Sequence, residues 1–145
     1  MQKINVNTKK MCKCIVVWKQ IIIFAPSKRN NMEQKQQFEV VYMSEANDYL
    51  LTVPLQARKK IYYNVVKVAG GVKDSELFCK LEGSDDIWEF RTLYGGIQYR
   101  LLAFWDKTAN RIVVVTHGFA KKTWKVPKKE IARAEALRRE YYEQK

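Results

Sequence analysis

From Ile87 onward the chain changes to a period of two, and three runs with that period follow one another with hardly any chain between them. They are Ile87 to Leu93, Ile97 to Trp105 and Ile112 to Phe119, joined by turns at Gly95-Gly96 and at Lys107 to Asn110. β-Branched and aromatic residues dominate all three, as they do in half-buried strands. Connections this short pair sequential strands directly, so the pattern predicts a three-stranded antiparallel meander with its strand order already set.

Other elements flank the meander. Phe38 to Tyr42 alternates enough for a first strand, and Ser44 before Glu45, Ala46 and Asn47 has the form of a helix cap and first turn. Pro54 suits the opening turn of a second helix, in which Leu55, Ile61, Tyr62, Val65 and Val66 recur near helical spacing until Gly70-Gly71 stops it. A last helix opens at Pro127 and runs through Ala132, Ala136, Leu137 and Tyr141. The expected fold class is therefore α+β: a first strand, a helical hairpin, the meander, and a C-terminal helix. One curved antiparallel sheet would be packed on one face by the hairpin.

The length of 145 residues suits a single core. Cys12, Cys14 and Cys79 are odd in number and lack CxxC spacing, which argues against a disulfide scaffold and a four-thiolate zinc site. With one histidine and no GxGxxG, Walker A or GxSxG pattern, no metal or cofactor is expected, and a reducing cytoplasm is the simplest location.

Charge is uneven. The net is +12, and Met1 to Asn31 hold seven basic residues and no acid. The apolar run Ile15 to Ala25 is interrupted by Lys19 and falls short of the ~20 residues that span a bilayer, so it does not read as a membrane helix. A weak signal anchor, a loosely docked strand at Ile21 to Phe24, and a natural start at Met32 are the alternatives, and the last is favoured. On this reading residues 1–31 are an extension, upstream of the start or disordered, and residues 32–145 are the domain. Within it, Arg91 to Lys129 carry nine basic residues and one acid, a concentration suited to a polyanion.

Residues of equal parity share a strand face, so Arg91 and Arg100 converge if the Gly95-Gly96 turn sets the right register, with Lys121 and Lys122 following the third strand. Arginine forks match phosphate oxygens and stabilise the charge that builds on phosphorus when a ribose hydroxyl attacks it. Clustered cations also favour a lysine that gives up its proton, which makes Lys121 or Lys122 a candidate base. These four are the candidate catalytic residues.

For RNA contact the candidates are the rings of Tyr94, Tyr99 and Trp124 and the cations Lys80, Lys125, Lys128 and Lys129. Trp88, Phe104 and Phe119 read as core. His117 is a candidate acid or base, weighed against a packing role at a strand end, and Glu89 reads as a partner of Arg91 or Arg100. Cys79 reads as a small core or loop residue.

Four blocks in order, Ile87-Trp88-Glu89-Phe90-Arg91, Tyr99-Arg100-Leu101-Leu102, Thr116 to Thr123, and Val126-Pro127 before a helix beginning Lys129 to Ala134, resemble the phage-derived HigB branch of the RelE toxin superfamily. The resemblance covers about Gln37 to Tyr142. It implies a type II toxin, a ribosome-dependent endoribonuclease that cuts messenger RNA and arrests translation. It also implies a HigA-like helix-turn-helix antitoxin as partner, with operator DNA reached only through it. By position Arg91 and Arg100 match the family's sheet arginines and Lys121-Lys122 its basic segment. The late histidine or tyrosine of some members has no certain counterpart, since Tyr141 and Tyr142 lie on the final helix. The rival expectation is a RelE-like module that binds nucleic acid or protein without cleaving.

Overall fold

The structure is a computed structural model that describes residues 37–145. The reading of residues 1–31 as an extension lies outside the described residues. In chain order the elements are β1 (Glu39–Tyr42), α1 (Ser44–Thr52), α2 (Leu55–Ala69), β2 (Phe78–Lys80), β3 (Trp88–Tyr94), β4 (Ile97–Trp105), β5 (Ile112–Lys121) and α3 (Lys128–Glu143). This is the expected α+β class, with the meander at β3, β4 and β5.

Gly95 and Gly96 both have left-handed φ, +57° and +77°, a pair of values that side chains resist and that matches the twist of a two-residue hairpin. The turn closes on the pair Tyr94 and Ile97, and counting back from it sets Arg91 directly opposite Arg100. β4 then pairs antiparallel with β5, with a register shift between Leu102 and Ala103. That shift leaves Thr116 as the extra residue between His117, opposite Leu102, and Val115, opposite Ala103.

Two expectations are corrected and one strand is added. The sheet is mixed, because β1 runs parallel to β5 in the order β1-β5-β4-β3-β2. A three-residue strand, β2, adds to the β3 edge; it is too short to show a period. Ser44 is not the cap: Met43 occupies that position without a side-chain hydrogen bond, and Ser44 Oγ donates instead to Glu45.

The hairpin helices pack on one face, as expected, and α3 takes the other. Asn64 of α2 donates to Thr92 of β3 across 3.1 Å, and a Cβ placed on Gly118 of β5 would meet the ring of Tyr49 of α1 at 2.2 Å, so α1 and α2 lie on the Thr92 and Gly118 face. In α2 the buried residues are Ala57, Ile61, Asn64, Val65, Val68 and Ala69, while Val66 faces out. The opposite face, carrying Leu102 and Phe104, packs against Ala134 and Ile131 of α3. α3 covers only part of it.

Candidate active site

The face carrying Leu102 also carries the cations. Arg91 and Arg100 form one cross-strand row with Phe119, and Leu93, Gln98 and Lys121 form the next. Lys121 is thus a strand residue on the arginine face, not part of a segment after the strand. Lys122 is the first residue beyond β5 and is exposed.

Glu89 stands two residues before Arg91 on the same face and is 1% exposed. Its Oε1 accepts from Arg91 Nε at 2.6 Å, and its Oε2 lies 3.4 Å from Arg100 Nε. One carboxylate therefore serves two guanidinium groups. Arg100 is 8% exposed and also donates from Nη2 to Gln98 Oε1 at 2.7 Å; its Nε makes no hydrogen bond.

The two arginines are held differently. For Arg91, burial opposes the charge, but the Glu89 hydrogen bond and charge outweigh it, and the pKa lies above the usual value. For Arg100, burial outweighs the attraction of Glu89, and the pKa lies below it. Arg100 Nε and Glu89 Oε2, 3.4 Å apart, both lack a hydrogen bond, so the two meet through charge alone. Breaking a buried ionic arrangement of this kind by removing one partner costs about 3–5 kcal/mol where no other partner remains.

Both arginines line an open cleft of about 390 Å³ that runs round the free edge of β3, with Leu93 and Gln98 on their own face, Asp74, Glu76 and Leu77 of the loop after α2, and Lys60, Tyr63, Asn64 and Lys67 of α2 on the other side of the sheet. Among the described residues no three His, Cys, Asp or Glu side chains stand together as metal ligands would.

The remaining candidates are scattered. Trp124 is 93% exposed in the loop after β5, and Tyr94 is exposed at the hairpin tip. Tyr99 is a correction: it shares the face of Thr92, is 6% exposed, and offers no ring for stacking. Lys80 pairs with Asp86 at the opposite end of β3 from the hairpin. Lys125, Lys128 and Lys129 are exposed, the last two in the first turn of α3. Of the rings expected in the core, Phe104 is buried, while Trp88 and Phe119 are half-buried.

His117 is buried under α3. Its Nε2 lies 2.9 Å from Glu130 Oε2 and its Nδ1 3.2 Å from Thr116 Oγ1. A carboxylate only accepts, which assigns the proton of the neutral ring to Nε2. Burial lowers the imidazole pKa despite Glu130. In this position the ring ties the sheet to α3 and does not face the cleft.

Sequence reasoning paired Glu89 with an arginine but missed that it serves both, and it missed the contribution of α2 altogether. The exposed α2 residues that line the cleft, Lys60, Tyr63 and Lys67, look in sequence like an ordinary solvated helix face.

Residues 48–139 match the model of a family described as phage derived protein Gp49-like (DUF891). Among solved structures, the toxin-antitoxin complex RelBE2 from Mycobacterium tuberculosis contains a chain 21% identical over 59% of this chain and 99% of that one, with a TM-score of 0.41. No curated protein matches the sequence.

Proposed function

The chain belongs to the phage-derived Gp49-like family, a RelE/HigB-type family, and on that premise we propose that it is the toxin of a type II toxin-antitoxin pair. Its activity is metal-independent cleavage of messenger RNA on the ribosome, in the cytoplasm. The observation that carries this reading is the Arg91–Arg100 cross-strand pair opening onto a cleft, with Lys121 in the next row of the same face.

In the proposed reaction the ribose 2′-oxygen attacks phosphorus as its proton passes to a base. The new 2′-oxygen to phosphorus bond forms while the bond to the 5′-oxygen breaks, leaving a 2′,3′-cyclic phosphate. The departing 5′-oxygen takes up a proton and becomes a hydroxyl. Arg100 and Arg91 bind the phosphate oxygens as their negative charge grows, the kind of preorganised stabilisation that contributes about 10²–10³ in rate per donor. Lys121 and Lys122 supply further charge or the base.

Lys128 and Lys129 support a polyanionic partner. They sit at the positive end of the α3 dipole, where cations are unfavourable, and the one acid of that turn, Glu130, is engaged by His117. With Lys125 and the exposed Trp124 they form the surface assigned to ribosomal and messenger RNA. A HigA-like helix-turn-helix antitoxin is the proposed neutralising partner. No described helix is long and apolar enough to cross a membrane.

Brief induction followed by RNA end mapping tests the reaction. New 5′-hydroxyl ends within codons, lost in Arg100→Ala, are expected. Continued growth arrest by the triple variant Arg100→Ala, Lys121→Ala, Lys122→Ala overturns this centre. A second reading, a binding module without cleavage, draws on Glu89, whose buried charge is shared by both arginines. RNA affinity without new ends would establish it.

A further inference from the structure

Arg91 and Arg100 face one another across the hairpin, but their guanidinium groups are not fastened alike. Arg91 is tied at two points: its Nε donates to Glu89 Oε1 at 2.6 Å and its Nη1 to the Ser75 carbonyl at 3.5 Å. Arg100 has one hydrogen bond among the described residues, from Nη2 to Gln98 Oε1 at 2.7 Å. Its Nε and Glu89 Oε2 attract without bonding. Charge acts over a wide range of angles, whereas a hydrogen bond weakens steeply once it bends, so the direction of the Arg100 group is set by Gln98.

Register places Gln98 for this task. It stands two residues before Arg100 on the same face of β4, with Leu93 of β3 and Lys121 of β5 as its cross-strand neighbours. Leu93 is apolar, and the Lys121 ammonium only donates, so neither offers Arg100 a second acceptor. With Arg100 Nη2 on the amide and Arg91 Nη1 turned to the loop, each arginine keeps one terminal nitrogen without a hydrogen bond among the described residues. These are Nη1 of Arg100 and Nη2 of Arg91. One donor from each strand suits two oxygens of a single phosphate.

We propose that Gln98 is a positioning residue, fixing the Arg100 guanidinium so that its Nη1 and the Nη2 of Arg91 meet the same phosphate. The proposal rests on the nuclease reading and adds a residue to its centre. The amide oxygen acts through Arg100 and touches no substrate. Because the guanidinium carries its charge in any orientation, loss of Gln98 leaves the attraction for RNA in place. Alignment in the transition state is what disappears, and misplacement by about 1 Å can cost about 10²-fold in rate.

Single-turnover cleavage of ribosome-bound message by the full-length protein, with RNA affinity measured alongside, tests this. Gln98→Ala is expected to lower the saturated rate about ten- to a hundredfold while RNA affinity stays nearly unchanged. Gln98 is exposed, so the variant keeps the fold. Gln98→Glu returns an acceptor with the same reach; it should cut faster at saturation than Gln98→Ala, although its added charge weakens RNA binding. An unchanged rate in Gln98→Ala overturns the proposal. So does a loss of affinity as large as the loss of rate, which would make Gln98 a direct RNA contact. A second measurement needs no cleavage: arginine side-chain ¹⁵N NMR should resolve the two Nη signals of Arg100 in the wild type, where rotation is hindered, and average them in Gln98→Ala. Averaged signals in both overturn the proposal. A held Arg100 in wild-type protein that cuts no message overturns the nuclease reading and leaves the hold of Gln98 on Arg100 standing.

Discussion

Two ends of the same sheet face each bury an ionisable pair, yet they differ in what surrounds it. At the hairpin end Glu89 faces two arginines beside a cleft. Further along the cross-strand row of Glu89, beyond Leu102, the His117 imidazole meets Glu130 one to one under α3. The covered pair is complete in itself and fastens a helix. The open group sets two guanidinium charges against one carboxylate, and that surplus positive charge is what the proposed phosphate would meet.

Removing Arg100 should show the largest effect. Arg100→Ala is expected to lower cleavage about 10²–10³-fold, or about 3–4 kcal/mol, while Arg91 continues to pair with Glu89 and the protein stays folded. End mapping and a melting curve on the same preparation check both halves. Full activity in this variant would erase the distinction between the two ends.

The covered end should respond in stability instead. His117→Ala leaves a cavity and an unpaired Glu130, for roughly 2–4 kcal/mol of destabilisation by urea titration. Activity per folded molecule should hold. A collapse of cleavage in a still-folded protein would move His117 into the chemistry.

The turn links the two ends through register. Gly95→Ala and Gly96→Ala each place a side chain at positive φ, at a cost of about 1–2 kcal/mol, and should reduce activity by loosening the arginine row. Equal rates in wild type and both variants would show that register elsewhere in the sheet holds the pair.

Acid should produce the smallest effect. Because the His117 pKa is lower in the folded state, the unfolded chain binds a proton first as pH falls. The stability from the buried neutral ring is complete above about pH 6.5 and declines below it toward the folded value. Melting temperatures at pH 7.5 and 5.5 should separate in the wild type beyond the change in His117→Gln; an identical drop in both would assign the effect to carboxylates.

Much of the site was readable before any coordinates because its causes are local. Alternation of Ile87 to Phe119 specifies strands, and the two glycines select a two-residue turn that sets Arg91 against Arg100. Tyr99 shows the limit: alternation assigned it a face but could not say which face the helices α1 and α2 would cover. Lys121 was expected after the strand, and it belongs to β5 because pairing with Gln98 extends the ladder past Phe119.

What the amino-acid order determined alone is the meander, the convergence of the arginines and the basic charge around them, since a two-residue period and a tight turn act over a few neighbours. The tertiary structure decided which sheet face α3 covers, and with it the burial of His117. It also decided the parallel seat of β1 on β5 and the sharing of Glu89 between two guanidinium groups. These depend on segments distant in sequence packing against one another, where buried area and the pairing of buried polar groups select the arrangement and no local pattern records it.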